Sequence, residues 1–443
     1  MDNQHQGTGA LSARKTFWVS GMGTALEYYD FFIYGYAAAL VFPAVFFPEM
    51  DRLTATLIAF SAFGAGFLAR PLGGIVFGHF GDKVGRQKVL VFTLLMMGVS
   101  TLLIGCLPSY ASVGVAAPVL LVLLRLLQGF AAGGEWGGAA LFGIENAPRG
   151  RRGLWGSFTS MGIGIGGILA SAVFATVSLA YDDDLTGFAW RIPFLLGGVL
   201  VLIGLYARLQ APREAPAPRQ KETPVPLLAA LRARPRELLL CIGVAFGYTT
   251  IAYIGTTFFL SYATLIGYGN TEALLFDFAL SITIVISAPL FALLSDHIGR
   301  KRVMILGSAL MAAGFFAFFP LISQHSLWLS LAAYALVGAL MGATQGPIPA
   351  FLGEQFPREM RFSSISATYQ IGAALGGGTA SSIATAILIA SDQNPLGVAL
   401  YAAGALGLVA LCSCLLRETA RLSMAEIDQD RRECRQLAAQ SLP

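Results

Sequence analysis

The sequence predicts an all-α membrane protein of twelve transmembrane helices in two pseudo-symmetric six-helix halves. Three observations carry this: a scarcity of charge, apolar runs of membrane-crossing length, and a pair of polar motifs that occurs twice. Of the 443 residues 56% are hydrophobic and 12% charged, where a soluble domain has about 25% charged. That balance excludes a soluble enzyme or a disordered chain. A net charge of +4 is too small for a nucleic-acid-binding surface. Five scattered cysteines form no disulfide framework. Cys412 and Cys414 have no further ligands nearby and read as packing, so no metal or other cofactor is expected.

A spanning helix needs about 20 mostly apolar residues. Twelve segments qualify: 16–40, 54–80, 88–107, 115–144, 153–179, 190–209, 237–262, 272–295, 302–322, 327–353, 361–389 and 396–416. Barrel strands would alternate apolar and polar residues, and Val89–Leu107 does not. The first span carries Glu27 and Asp30 and no small-residue cleavage site, so it is not read as a cleaved signal. All basic residues except Arg52, Arg70, Arg125 and Arg191 fall in the segments that face one side if both termini do. By the positive-inside rule that side is the cytoplasm, as expected for a multi-pass protein of a bacterial inner membrane.

The stretch 210–236 carries Pro212, Pro216, Pro218, Pro224, Pro226 and Pro235 among basic residues and reads as a linker. It separates an N-terminal half (1–209) from a C-terminal half (237–417), with a short tail at 418–443. The halves resemble each other. Gly78-His-Phe-Gly-Asp82-Lys-Val-Gly85-Arg86 follows span two, and Asp296-His-Ile-Gly299-Arg300 follows span eight. Glu145-x-x-Pro148-Arg149-x-x-Arg152 follows span four, and Glu354-x-x-Pro357-Arg358-x-x-Arg361 follows span ten. Parallel six-helix repeats with a midplane site are a secondary-transporter architecture.

The Gly-x-x-x-Asp-x-x-Gly-Arg loop and its echo resemble the major facilitator superfamily. Glu27-Tyr-Tyr-Asp30-Phe-Phe-Ile-Tyr34-Gly, Arg70-Pro-Leu-Gly-Gly, Arg125-x-x-Gln128-Gly-x-x-x-Gly-Gly-Glu135-Trp-Gly-Gly and Trp190-Arg-Ile-Pro-Phe are similar to its metabolite:proton symporter family, most of all to the shikimate-type branch. The resemblance implies symport of a small metabolite, such as an organic acid or a betaine, with protons. It also implies a cytoplasmic gate built from Asp82, Arg86, Glu145 and Arg152, with Asp296, Arg300, Glu354 and Arg361 opposite. The blander reading, that these charges only set topology, is compatible with a gate.

Six ionisable residues fall inside spans: Glu27, Asp30, Arg70, Arg125, Glu135 and Asp277. Each costs about 2.5–3.5 kcal/mol at a helix centre, so they must face a wet cavity or one another. At 1.5 Å per residue, Glu27, Asp30, Arg70 and Glu135 lie near mid-depth. Arg125, Gln128 and Glu135 share one face of span four, since steps of three and seven return to the same side. Arg125 and Arg70 suit a substrate carboxylate, because a guanidinium binds it bidentately. Neutralisation of Arg125 by an acid such as Asp30 is the packing alternative. Gln128, Tyr34 and Gln370 could offer hydrogen bonds to the substrate. Asp30, Glu135 and Glu27 are candidate proton carriers, since a carboxyl shifts its proton affinity with burial and with a nearby cation. Asp277 either tunes substrate choice or is hydrated at the outer mouth. Gly162, Gly164, Gly166, Gly167 and Gly376–Gly378 permit close helix packing.

The expected function is therefore import of a small carboxylate with protons, by a chain that acts as a monomer in the lipid bilayer, without nucleic acid. Import of zwitterions such as proline or betaine is an alternative, though Thr419–Pro443 is short for a coiled-coil tail. Export of a metabolite or drug is another, although 163–180 lacks the Gly-Pro pair of drug antiporters.

Overall fold

The computed structural model describes residues 13–84, 86–133, 135–210 and 234–428. Among them every regular element is helical, because in lipid each backbone group must be satisfied within its own segment. The twelve spans cover 13–40, 52–84, 86–105, 116–145, 152–180, 191–210, 235–265, 270–298, 300–322, 327–353, 358–390 and 396–415. Each matches its expected segment to within a few residues. Nine of the described helices are long and apolar enough to cross a membrane, and spans one, three and six complete the set. The proposed linker lies mostly outside the described residues.

Helix interruptions were not foreseen. Spans one and seven contain π-turns at Trp18–Met22 and Ile254–Phe258. Span four breaks between Ala131 and Glu135, and span ten between Gln345 and Ile348. In span ten the cause is Pro347 and Pro349, which lack the amide proton and crowd the preceding turn.

Within the first half, spans one and five, two and four, and three and six pack together. The second half repeats this with spans seven and eleven, eight and ten, and nine and twelve. The halves meet where span five packs on span eight and span two on span eleven. Helices approach closely where glycines remove the side chain, which matters without a hydrophobic drive between helices. A Cβ at Gly129 would stand 1.9 Å from the Gly66 carbonyl oxygen, and one at Gly162 would stand 2.2 Å from that of Gly21. Gly129→Ala therefore forces spans two and four apart at the level of Arg125. It is expected to lower the thermal midpoint of the purified protein, with a cost of at least about 1–3 kcal/mol; an unchanged midpoint in a detergent melt would count against this packing.

The bundle has two faces. The basic face carries the 146–151, 299 and 354–357 connections and residues 416–428; the opposite face carries the 181–190 and 266–269 connections.

Candidate functional site

Glu27, Asp30, Arg70 and Arg125 gather around span one. Arg125 and Gln128 are one turn apart, and Arg125 Nη1 donates to Gln128 Oε1 at 2.6 Å. Gln128 Nε2 donates to Thr101 Oγ1 of span three at 2.9 Å. That hydroxyl lies 3.2 Å from Asp30 Oδ2 and 3.0 Å from the Met97 carbonyl oxygen. It has one proton to give, so it serves one of these acceptors at a time. Arg125 and Asp30, both buried, are thus linked through Gln128 and Thr101 rather than by a direct ion pair.

Arg70 lies 3.7 Å from Glu27 Oε1, both buried. Its guanidinium carbon is 3.8 Å from the Phe31 ring centre and 4.7 Å from that of Phe67. That of Arg125 is 4.5 Å from Phe31, 4.3 Å from Tyr34 and 4.7 Å from Phe63. Two cations therefore share the Phe31 ring. A desolvated cation–π contact is worth about 2 kcal/mol, which offsets part of the burial cost. Nη2 of both arginines and Nε of Arg70 have no hydrogen-bond partner. Nε and Nη2 of Arg70 form a planar fork of the shape that grips a carboxylate; on Arg125 it is Nη2 that lacks a partner, since Nε donates to the Phe63 carbonyl at 3.4 Å.

The second half closes over this cluster. Tyr253 of span seven meets Phe63 and Phe67 edge-on at 5.4 and 5.0 Å. The Tyr28 and Tyr369 hydroxyls share a hydrogen bond of 2.7 Å, and the Tyr369 ring stacks on Trp136 at 3.5 Å. Gln370 Nε2 donates to the Gly133 carbonyl, at the break in span four, at 3.0 Å. Between the halves lies a cavity of about 20 Å³, lined by Tyr28, Tyr248, Tyr253, Tyr369 and Gln345 among others. That is room for about one water molecule. The Glu135 side chain lies outside the described residues.

At the basic face, Asp296 at the end of span eight accepts from the backbone N–H groups of Gly153 and Leu154 at 2.9 and 3.0 Å. It thereby caps span five of the other half, where a carboxylate meets the positive end of the helix dipole. Asp296 also pairs with Arg300 at 2.7 Å. Glu354 is fully buried and joins Arg152 and Arg300, each at 3.3 Å. Arg361 sits apart, donating to the Gly353 and Phe356 carbonyls and pairing with Asp428 at 2.9 Å. Glu145 is exposed and, among the described residues, joins none of these ion pairs. The side chains of Asp82 and Arg86 lie outside the described residues.

Residues 417–428 belong to this cluster, which sequence reasoning missed. Glu418 accepts from the N–H groups of Arg300 and Lys301 at 3.0 Å each, capping span nine. Thr419 donates to Glu354 at 2.5 Å. Arg152 donates to the Thr419 carbonyl at 3.4 Å and to that of Leu422.

The opposite face mirrors the Asp296 cap. Asp183, just past span five, accepts from the N–H groups of Asn270 and Thr271 at the start of span eight, at 2.8 Å each, and from the Thr271 and Ser178 hydroxyls. Burial raises its proton affinity, but these donors outweigh that and hold the carboxyl below the usual carboxylate range. Spans five and eight run antiparallel, and each has its N-terminus capped by an aspartate from the other half. Both faces are bridged.

Two packed six-helix halves around a buried charged centre, closed at both faces, define a membrane transporter, and the known proteins specify which kind. The Major Facilitator Superfamily model matches residues 21–281 and 240–436, and the chain belongs to that superfamily. It is 38% identical to the inner membrane metabolite transport protein YhjE of Escherichia coli (strain K12), covering 96% of this chain and 98% of that protein. It is 36% identical to the shikimate transporter of the same strain, covering 94% and 97%. A proline/betaine transporter of Salmonella typhimurium is 33% identical, covering 88% and 80%. The crystal structure of a D-xylose-proton symporter superposes with a TM-score of 0.73 at 17% identity, covering 93% and 99%, which shows the shared fold. The chain is a multi-pass membrane transporter of the metabolite-transporting kind, not an enzyme.

Proposed function

We propose that this transporter imports a small organic acid together with protons, by alternating exposure of the central site. The observation that carries this reading is the pair of buried guanidiniums on the Phe31 ring, with donors left unpaired. A carboxylate supplies acceptors for these donors and a counter-charge for Arg125, whereas Arg70 already has Glu27 beside it at 3.7 Å. Arg125, Gln128 and Arg70 bind the anion, while Tyr34 and Gln370 shape the pocket. Asp30 carries the proton, with Glu135 and Glu27 as further acids of the site. The Thr101 hydroxyl relays its state: it faces an ionised Asp30, and turns to the Met97 carbonyl when Asp30 is neutral. The relay reaches Arg125 through Gln128, so proton loading and anion binding share one network.

The basic face is the cytoplasmic one by the positive-inside rule, in an inner (plasma) membrane with both termini inside. The Arg152, Asp296, Arg300 and Glu354 cluster is the inner gate, to which Asp82, Arg86, Glu145 and Arg361 are assigned by motif. The Asp183 bridge is the outer gate. The chain acts as a monomer of two halves, 1–209 and 237–417, joined by a linker at 210–236.

Asp183→Asn removes the charge at the start of span eight, worth up to about 2 kcal/mol. The outward-open population is then expected to rise by roughly five- to thirty-fold, read as longer distances between spin labels at the outer ends of spans five and eight. An unchanged distance distribution would contradict an outer gate at Asp183. The sign with pH follows from the lowered proton affinity. The bridge is at full strength above the ordinary carboxylate range and is lost as pH falls through the lower value held in the bridge.

Import of a zwitterion is the second reading, favoured by the tyrosines lining the cavity, which suit a quaternary ammonium. Purified protein in vesicles, offered a panel of labelled acids and betaine with and without a pH gradient, separates the two. Gradient-dependent uptake of an acid is expected; uptake of betaine alone overturns the organic-acid reading.

A further inference from the structure

Span eight carries a buried acid that the central site does not use. Asp277 lies about two turns from the outer start of span eight and is fully buried. Tyr36 of span one, in the other half, donates to its Oδ2, and Oδ1 has no hydrogen-bond partner. Among the described residues, the titratable groups facing it are two phenols, Tyr36 and Tyr334 of span ten. The Tyr334 hydroxyl is committed to the Phe259 carbonyl of span seven at 2.8 Å. From span five, Phe174 packs edge-on against the Tyr36 ring. Among the described residues no lysine, arginine or histidine pairs with Asp277.

An ionised carboxylate has about four acceptor sites and no proton to give. Here it would meet one donor and no counter-charge, a situation that costs several kcal/mol per ion even after relaxation. The neutral acid leaves one O–H short of a partner, a cost of about 1–3 kcal/mol. The closed arrangement therefore holds the neutral form. Tyr36 and Asp277 belong to opposite halves and meet toward the outer face, so parting the halves there admits water to the carboxyl. In water an aspartate ionises at neutral pH.

We propose that Asp277 is a second proton-binding site, loaded from water at the outer mouth, whose protonation permits the halves to close over Tyr36. The carboxylate takes a proton from that water as the mouth closes, and releases it to water when the contact opens. The proposal rests on the alternating-exposure reading above. It depends on neither the substrate's identity nor the role of Asp30.

The test needs no substrate. The infrared band of protonated carboxyl groups is recorded near neutral pH on the purified full chain, beside Asp277→Asn, Asp30→Asn and Tyr36→Phe. A component lost in Asp277→Asn and kept in Asp30→Asn is expected. Tyr36→Phe, which removes the one donor to the ionised form, retains it to higher pH. A band identical in the wild type and Asp277→Asn overturns the proposal. If Asp277→Asn does not fold, absence of the component that Tyr36→Phe should retain overturns it equally. Spin labels across the outer ends of spans one and eight give the second readout. As pH falls toward neutral, well above the range in which the Asp183 bridge is lost, the wild type closes and Asp277→Asn does not respond; an equal response in both overturns the proposal. Failure of the acid panel with these results intact would sink the substrate reading alone. Acid uptake with an unaltered band in Asp277→Asn would sink the second proton site alone.

Discussion

Arg125→Lys stops organic-acid uptake while leaving the amount of inserted protein unchanged. The guanidinium has Nη1 on Gln128, lies against Phe31, Tyr34 and Phe63, and leaves Nη2 unpaired. It passes close to span two only because Gly66 has no side chain: a Cβ there would stand 2.7 Å from Arg125 Nε. Lysine keeps the charge and much of the length of the side chain. What is lost is the planar fork, since an ammonium is a compact point charge that cannot hold Gln128 and grip a carboxylate in one plane. A charge-assisted hydrogen bond is worth about 1.5–3 kcal/mol, and each 1.4 kcal/mol is tenfold. Losing one or two, about 1.5–6 kcal/mol in all, lowers apparent affinity by roughly 10-fold to 20,000-fold. Labelled-acid uptake normalised to protein in the membrane checks this; near-normal kinetics would remove Arg125 as the carboxylate anchor.

Asp30→Asn separates movement of the substrate from its accumulation. The amide has the volume of the acid and is neutral like its protonated form, so the helices keep their packing. It cannot ionise, so the Thr101 hydroxyl no longer alternates between Asp30 and Met97 in step with a proton. Exchange of internal for external substrate should persist within about tenfold of wild type, the span of one 1.4 kcal/mol change. Uphill accumulation driven by a pH gradient should be lost. Accumulation of wild-type size that still collapses with an uncoupler would reassign the carrier to Glu135, Glu27 or Asp277.

The helices were legible because a membrane-crossing run has a fixed length and composition, and the deviations at its ends are four residues or fewer, about one turn. The Arg125–Gln128 pair was legible for the same kind of reason, as three residues on a helix face one way. Thr101 was not. It is one hydroxyl in the apolar run of span three, and only the packing of spans one, three and four makes it a link. Asp183 sits in an acidic surface run, Asp182–Asp184, that reads as topology. Its role exists because the start of span eight, 87 residues on, arrives beside it. Glu418 and Thr419 likewise looked like an ordinary polar tail, although they hold the start of span nine and Glu354. The interruptions had a visible cause at Gln345-Gly-Pro-Ile-Pro349 but only glycines to mark them in span four. Long-range polar contacts between halves carry no periodic signal, and so they escape a reading based on period and spacing.

Coupling of acid entry to proton entry can be read directly. Purified protein is sealed in vesicles with a pH-sensitive dye inside, equal pH on both sides and no membrane potential, and the transported acid is added outside. In the wild type the lumen should acidify in step with entry of the label, while Asp30→Asn should let the label in without acidification. Label entering the wild-type vesicles with no change in internal pH would contradict proton-coupled import.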